Sequence, residues 1–430
     1  MKRSMTRLLC AVAVVGLLAP SGFAQVGLEP GKADPPEDKI SLKELNDSVK
    51  EMVSKFVDIN LLVATTYTYS TNKPDSDFLP YLPINKDDNT ISLYDGWFSV
   101  SRHREDEDFG FTFNMDVGET ARFAGADWDG DGVTEGFEDD DTFIEVREFF
   151  GTYKLPGDTG IKVKVGKFVS LLGYEVLLTN TAYNPTVTLN YLFQNVPYTN
   201  TGVMFNVPMG EIASLDVGVV NGWDNVVDNN NAKSLLMGVG AAPIEGMTTY
   251  LAGIFGSEVC GQDSTKCTGL APAGEGSKRG AVTWNIGYTL PEDLGTGLGF
   301  AVDTLYANES NVLPNSIGQE FADDAQWYGA AGYILWSAPW EEVEGLGFNL
   351  RATWFGDPDG YRNPTGTTNP DAAGAQTIWE ISPTVRYAFN EHVLLRFEYR
   401  HDSSNKFTFE KEDGWAKINN TLTGEFLVAF

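Results

Sequence analysis

Phe109-Gly110-Phe111-Thr112-Phe113-Asn114-Met115-Asp116-Val117-Gly118 alternates apolar with small or polar residues throughout. A period of two places Phe109, Phe111, Phe113, Met115 and Val117 on one face of an extended strand, with Thr112, Asn114 and Asp116 on the other. The same pattern recurs along the chain. Ile161, Val163 and Val165 interleave with Lys162 and Lys164; Val282, Trp284, Ile286 and Tyr288 with Thr283, Asn285 and Gly287; Leu395, Phe397 and Tyr399 with Arg396, Glu398 and Arg400. Beyond the N-terminal segment no apolar run reaches the ~18 residues that a membrane-spanning helix requires.

Alternation is common to soluble sandwiches and membrane barrels, so the joins must discriminate. The strands read from the pattern lie between 57 and 430, and the joins alternate in length. Short joins fall at 103–108, 155–160, 209–212, 244–246, 291–296, 339–344 and 390–392. Long joins fall at 71–90, 121–141, 172–197, 224–231, 258–279, 310–324, 356–375 and 403–417. Short turns on one rim and long loops on the other are the signature of an outer-membrane barrel. The expected fold is therefore all-β, a transmembrane antiparallel up-and-down barrel of about sixteen strands (roughly 14–18).

Aromatic residues gather where strands meet turns, at Phe149, Phe150 and Tyr153, at Tyr333, Trp336 and Trp340, and at Tyr387 and Phe389. They read as girdles at the two lipid–water interfaces. The final strand places Phe426, Val428 and Phe430 on one face, and Phe430 resembles the signal by which the barrel assembly machinery recognises its clients. Val165-Gly166-Lys167-Phe168, then Gly173-Tyr174-Glu175 opening a long loop and Thr201-Gly202-Val203 closing it, resemble the OmpL-like beta-barrel porins over residues 57–430. That resemblance implies a pore and names no solute.

The start of the chain reads as an export signal. Lys2, Arg3 and Arg7 precede an apolar run from Leu8 to Ala19, and Gly22 and Ala24 suit cleavage after Ala24. Residues 25–56 follow as a periplasmic segment: a Pro- and charge-rich linker, then capping-box spacing at Ser41-Leu42-Lys43-Glu44 and a helix over 41–56. That helix could plug the lumen, pack on the rim or join a bundle in an oligomer. Export also decides the cysteines. Cys260 and Cys267 remain after cleavage, close together in a loop, and read as a disulfide in an oxidising compartment, two free thiols being the alternative.

The 430 residues include 60 Asp+Glu, 30 Lys+Arg and 3 His, for a formal net charge of −30. This excess argues against nucleic-acid partners. The acidity has one focus. Asp127-Trp128-Asp129-Gly130-Asp131-Gly132-Val133-Thr134-Glu135-Gly136-Phe137-Glu138 matches the twelve-residue calcium loop, with carboxylates at positions 1, 3 and 5, Gly at 6 and Glu at 12. Asp127, Asp129, Asp131 and Glu138 would supply side-chain oxygens, Val133 its carbonyl, and Glu135 a direct or water-mediated ligand. Ca²⁺ is thus the expected cofactor, with no haem or nucleotide; a solvated acidic loop is the alternative.

The third long join, 172–197, contrasts with the second. It carries Glu175 and no basic residue, and is rich in Leu, Tyr, Asn and Thr, as in Tyr183-Asn184 and Leu189-Asn190-Tyr191-Leu192-Phe193. A segment this apolar is poorly suited to solvent. It is expected either to fold into the lumen as a constriction loop, with Glu175, Tyr183, Asn184, Tyr191 and Phe193 at the narrowing, or to pack on the rim or a neighbouring subunit.

Arg147, Lys162, Lys164, Arg351, Arg386, Arg396 and Arg400, with Glu380 and Glu398, fall on the faces assigned to the lumen. Charges facing lipid at mid-depth would cost several kcal/mol, about 2–4 for Arg or Lys, so a wet interior is required. They read either as a pore-lining strip that passes anions or orients polar solutes, or as ion pairs that hold the wall. The expected function is passive diffusion of small polar or charged solutes through an outer-membrane porin. Outer-membrane lipid, the assembly machinery, small solutes and a homotrimer are the candidate partners. A non-conducting adhesin or scaffold with calcium-ordered loops is the competing class. A barrel enzyme needs a nucleophile with a positioned base, and no motif ties a serine to His103, His392 or His401.

Overall fold

The computed structural model describes residues 54–79, 81–123, 143–179, 184–228, 232–258, 277–311, 324–362 and 369–430. Sixteen strands close into one antiparallel barrel: β1 (Asp58–Ser70), β2 (Thr90–Arg102), β3 (Phe109–Val117), β4 (Ile144–Lys154), β5 (Lys162–Val169), β6 (Thr199–Pro208), β7 (Ala213–Val220), β8 (Ser234–Ala241), β9 (Met247–Gly256), β10 (Arg279–Thr289), β11 (Leu298–Ser310), β12 (Asp324–Ser337), β13 (Leu346–Asp357), β14 (Gln376–Ala388), β15 (Val393–Ser404) and β18 (Ile418–Ala429). Each strand pairs with its sequence neighbour. The last join carries a two-stranded hairpin, β16 (Phe409–Lys411) with β17 (Gly414–Ala416), so β15 pairs directly with β18. Closure comes from β1 against β18, with Leu62 opposite Ala429 and Ser70 opposite Thr421. Closing the sheet satisfies the backbone groups that an open edge would leave in hydrocarbon.

The alternation sorts side chains as the sequence requires. Along β15, Arg396, Glu398, Arg400 and Asp402 are buried inside while Phe397 and Tyr399 are exposed on the outside. On β18, Asn419, Thr421, Thr423 and Glu425 are buried and Leu422 and Phe426 are exposed. Phe149, Tyr153, Trp340, Tyr387 and Phe389 lie exposed near strand ends, as interfacial aromatics should.

Three local differences from the expected pattern matter. The pattern predicts β3 running to 120, but it ends at Val117: Gly118 adopts φ +110°, and a short helix α1 (Glu119–Phe123) follows. A bulge sets Val146 and Arg147 against Met115 alone, so that Arg147 and Glu148 are both buried. Phe150 and Tyr333, expected at the lipid interface, are instead buried in the interior cluster with Phe168, Tyr191 and Phe355. The interior has aromatic partners for them because a loop fills it.

The calcium-type segment 127–138, Tyr183, Cys260 and Cys267, and the segment before residue 54 lie outside the described residues. Of the helix expected over 41–56, residues 54–56 are described and are helical.

Candidate functional site: a loop held inside the lumen

The join between β5 and β6 packs inside the barrel over its described residues, 170–179 and 184–198. Leu172, Leu177, Leu178, Val187, Leu189, Leu192 and Val196 are all buried, and Tyr191 and Phe193 with them. Its Glu175, Asn184, Thr186, Thr188, Asn190 and Asn195 are buried as well, and are satisfied by the wall or by one another.

Arginines of the wall bond the loop backbone. Arg147 Nη1 donates to Leu178 O at 2.6 Å. Arg351 Nη1 reaches Thr188 O at 2.5 Å and Thr186 Oγ1 at 2.6 Å. Arg396 Nη1 donates to Asn184 O at 2.5 Å and Thr186 O at 3.0 Å. Arg400 Nη1 donates to Leu189 O at 2.7 Å, and its guanidinium lies 4.8 Å from the Tyr191 ring centre. Glu398 works in the opposite sense, accepting Val187 N–H at 2.7 Å and Thr188 N–H at 3.2 Å. Carbonyls thus meet cations and N–H groups meet a carboxylate, the charge-assisted bonds that suit a low-dielectric interior.

Carboxylates balance these cations. Arg351 pairs with Glu175 of the loop at 2.8 Å and with Glu380 at 3.0 Å. Arg396 makes a two-pronged pair with Glu425, at 2.5 and 2.8 Å. Arg400 pairs with Asp402 at 2.9 Å, and Arg147 with Asp116 at 2.6 Å and Asp95 at 3.1 Å. The four arginines are 0–1% exposed. Within the loop, Glu175 also accepts Asn190 N–H at 2.6 Å, and Asn184 bonds Val176 through both side-chain atoms. Tyr191 donates to Asp402 at 2.7 Å, and Phe193 stacks on Tyr198.

Three of the basic residues picked from the pattern lie elsewhere. Lys164 sits over the Phe150 and Phe168 rings, at 4.6 and 5.3 Å. Lys162 is exposed at the turn end of β5. Arg386 is only partly buried, bonds Ser337 Oγ, and lines a cavity of about 460 Å³ near the short turns with Tyr174, Asn184 and Asn349.

The charged residues picked from the pattern do not include Glu425, Asp402 or Asp95, nor Asp116, which the pattern had only placed on the polar face of its strand; these four complete the network. Each carried a signal. Glu425, for example, interrupts an apolar C-terminal strand, where a charge must face inward. The first long join is a larger omission. Its Leu79, Tyr81, Leu82, Ile84 and Asn85 are buried, Asn85 bonds Thr66, and Tyr81 contacts the Tyr191 and Phe409 rings edge-on. The run Phe78-Leu79-Pro80-Tyr81-Leu82-Pro83-Ile84 was apolar enough to mark it.

Beyond the strands, Glu258 is buried and accepts from Trp223 N–H at 3.2 Å and Ser234 Oγ at 3.0 Å. Burial raises its pKa to about 7, against the opposing pull of Arg279. Asp224 takes Tyr198 N–H and Thr199 N–H, both at 2.8 Å, where the inner loop rejoins the wall; burial raises its pKa to about 6.

Solved structures share this architecture at low identity. OprB of Pseudomonas putida aligns with TM-score 0.55 and 10% identity, over 90% of this chain and 97% of its own. An anion-selective porin from Comamonas acidovorans aligns with TM-score 0.52 and 9% identity, over 87% and 99%. OmpT of Vibrio cholerae, an outer-membrane protein, gives 0.52 and 10%, over 87% and 97%. A search of curated proteins returned no matching relative. A family model does match, described as "Putative beta-barrel porin-2, OmpL-like", over residues 57–430. With sixteen strands closed around an inward loop and a match spanning the whole barrel, the chain belongs to the OmpL-like beta-barrel porin family and is a multi-pass outer-membrane protein.

Proposed function

We propose that the protein is a porin that passes small polar or charged solutes by passive diffusion, with residues 170–198 as its constriction. The observation that carries this reading is the bonding of that loop to charged wall residues on β4, β13 and β15. Such bonding holds a segment at fixed depth in a polar lumen, as selectivity by a narrow aperture demands. Single-channel recording in planar bilayers tests it. Deleting 183–193 should raise conductance; a folded deletion variant that conducts like the parent, or a parent that never conducts, overturns the reading.

A second reading, a non-conducting scaffold barrel, draws on the inward packing of the first long join, with Tyr81 against Tyr191. The same recording separates the two. An enzymatic role has less support: among the described residues His103 bonds Thr112, His392 the Ala429 carbonyl and His401 Asn420, so none activates a serine.

Four further assignments belong to this reading. They are cleavage after Ala24, a Cys260–Cys267 disulfide, a homotrimer, and calcium held by Asp127, Asp129, Asp131, Val133, Glu135 and Glu138. Calcium should protect 121–141 from proteolysis, and Asp127→Ala with Glu138→Ala should abolish that protection. Equal cleavage of the parent in calcium and in chelator would eliminate the site.

A further inference from the structure

The cavity of about 460 Å³ at the turn rim is of the size that holds a small ligand. Apolar surface from Tyr174, Val176, Pro185 and Leu335 lines one part, and Arg386 enters from β14. Arg386 differs from the arginines deeper in the barrel. Arg147, Arg351, Arg396 and Arg400 each pair with a carboxylate. Arg386 bonds Ser337 Oγ, and among the described residues no carboxylate lies within ion-pair distance of it. Its remaining donors and its whole charge are left to whatever occupies the cavity.

The wall makes room for this arrangement. Gly347 lies directly opposite Arg386 in the β13–β14 register. A Cβ at Gly347 would stand 2.5 Å from Arg386 Nε and 2.9 Å from its Cζ, so the guanidinium rests where only glycine leaves space. Tyr174 adds a polar edge, since its hydroxyl makes no hydrogen bond among the described residues while its ring packs 4.8 Å from that of Tyr333. An unpaired cation beside an apolar wall selects a particular chemistry. It matches a small anion that carries a compact apolar body.

We infer that the turn-rim cavity is a binding subsite for small organic anions, with the anionic head on Arg386 and the apolar body against Tyr174, Val176, Pro185 and Leu335. The inference rests on the porin reading for how such an anion reaches the site, and not for whether it binds there. Arg386 is a binding residue in this assignment, and Gly347 positions it.

Equilibrium binding to the full chain folded in detergent micelles provides the test, followed by fluorine NMR with para-fluorobenzoate as probe and para-fluorobenzylammonium as its cationic counterpart. The benzoate should bind and the benzylammonium should not. Arg386→Gln should weaken the benzoate by about tenfold or more, the loss expected when one charge-assisted bond is removed. Arg386→Lys should restore part of the affinity, and Gly347→Ala should weaken it by displacing the guanidinium. Ser337→Ala removes the structural bond yet leaves the charge, and should bind within about twofold of the parent. Equal affinity in parent and Arg386→Gln, or equal affinity for the ammonium probe, overturns the subsite. Binding without bilayer conductance would support the subsite while removing the porin reading; conductance without binding would do the reverse.

Discussion

Arg351 and Arg386 sit on adjacent strands, both facing inward, and their surroundings could hardly differ more. Arg351 is fully buried, flanked by Glu175 and Glu380 and bonded to the Thr188 carbonyl. Arg386 is partly exposed, bonded to one serine hydroxyl, and opens on a cavity. What separates them is depth relative to the inner loop. The loop brings its own carboxylate and carbonyls to Arg351 and faces Arg386 only across the cavity, with Tyr174, Val176 and Pro185 on its far side. The same residue type on the same face of the same wall therefore holds structure at one level and leaves charge available at another.

Breaking the deeper site should have the largest effect. Arg351→Ala leaves Glu175 and Glu380 buried without their cation, a loss of roughly 3–5 kcal/mol. Unfolding of the variant in detergent, followed by tryptophan fluorescence, measures it. Removing an acceptor instead of a donor should cost less. Glu398→Gln weakens the bonds from Val187 and Thr188 N–H and should cost about 1.5–3 kcal/mol. It should also raise the rate at which added protease cleaves within 184–198, whereas a cleavage rate equal to the parent's would mean that Glu398 does not hold the loop.

The pH dependence of the outer joins gives a smaller, signed effect. Burial raises the folded pKa of Glu258 from 4.5 to about 7, so its protonated form favours the folded arrangement. That stabilisation is complete below about 4.5 and is lost as pH rises through about 7. Hydrogen exchange at Trp223 N–H, corrected for its intrinsic pH dependence, should therefore show less protection at pH 8 than at pH 5. The reverse trend would mean that Arg279 controls the group instead of burial. Arg386→Gln should have the smallest effect on stability, within about 0.5 kcal/mol, because it removes no buried ion pair. A loss as large as that of Arg351→Ala would erase the distinction between the two levels.

The sequence determined the barrel because its information is local. A period of two states which face each residue occupies, and join lengths state which rim each turn lies on. The sixteen strands expected from 57–70 through 418–430 accordingly agree with the sixteen barrel strands to within three residues at each end, while the hairpin β16–β17 falls inside the join expected at 403–417. The apolar character of 172–197 also set that join apart before any partner was known. Tertiary structure decided what fills the interior. Arg351 and Thr188 lie 163 residues apart in sequence, and Arg396 and Asn184 lie 212 apart. No periodicity encodes a contact across the lumen. Alternation along β12 already puts Tyr333 on the inner face with Trp327 and Ala331, but only the loop packed inside the barrel supplies the Tyr174 ring and the Glu175 carboxylate that it meets there. It likewise left the wall arginines undivided between pairing and pore. That division followed from how deep the loop reaches, since a charge inside a barrel takes whichever counter-charges and carbonyls the folded loop presents to it.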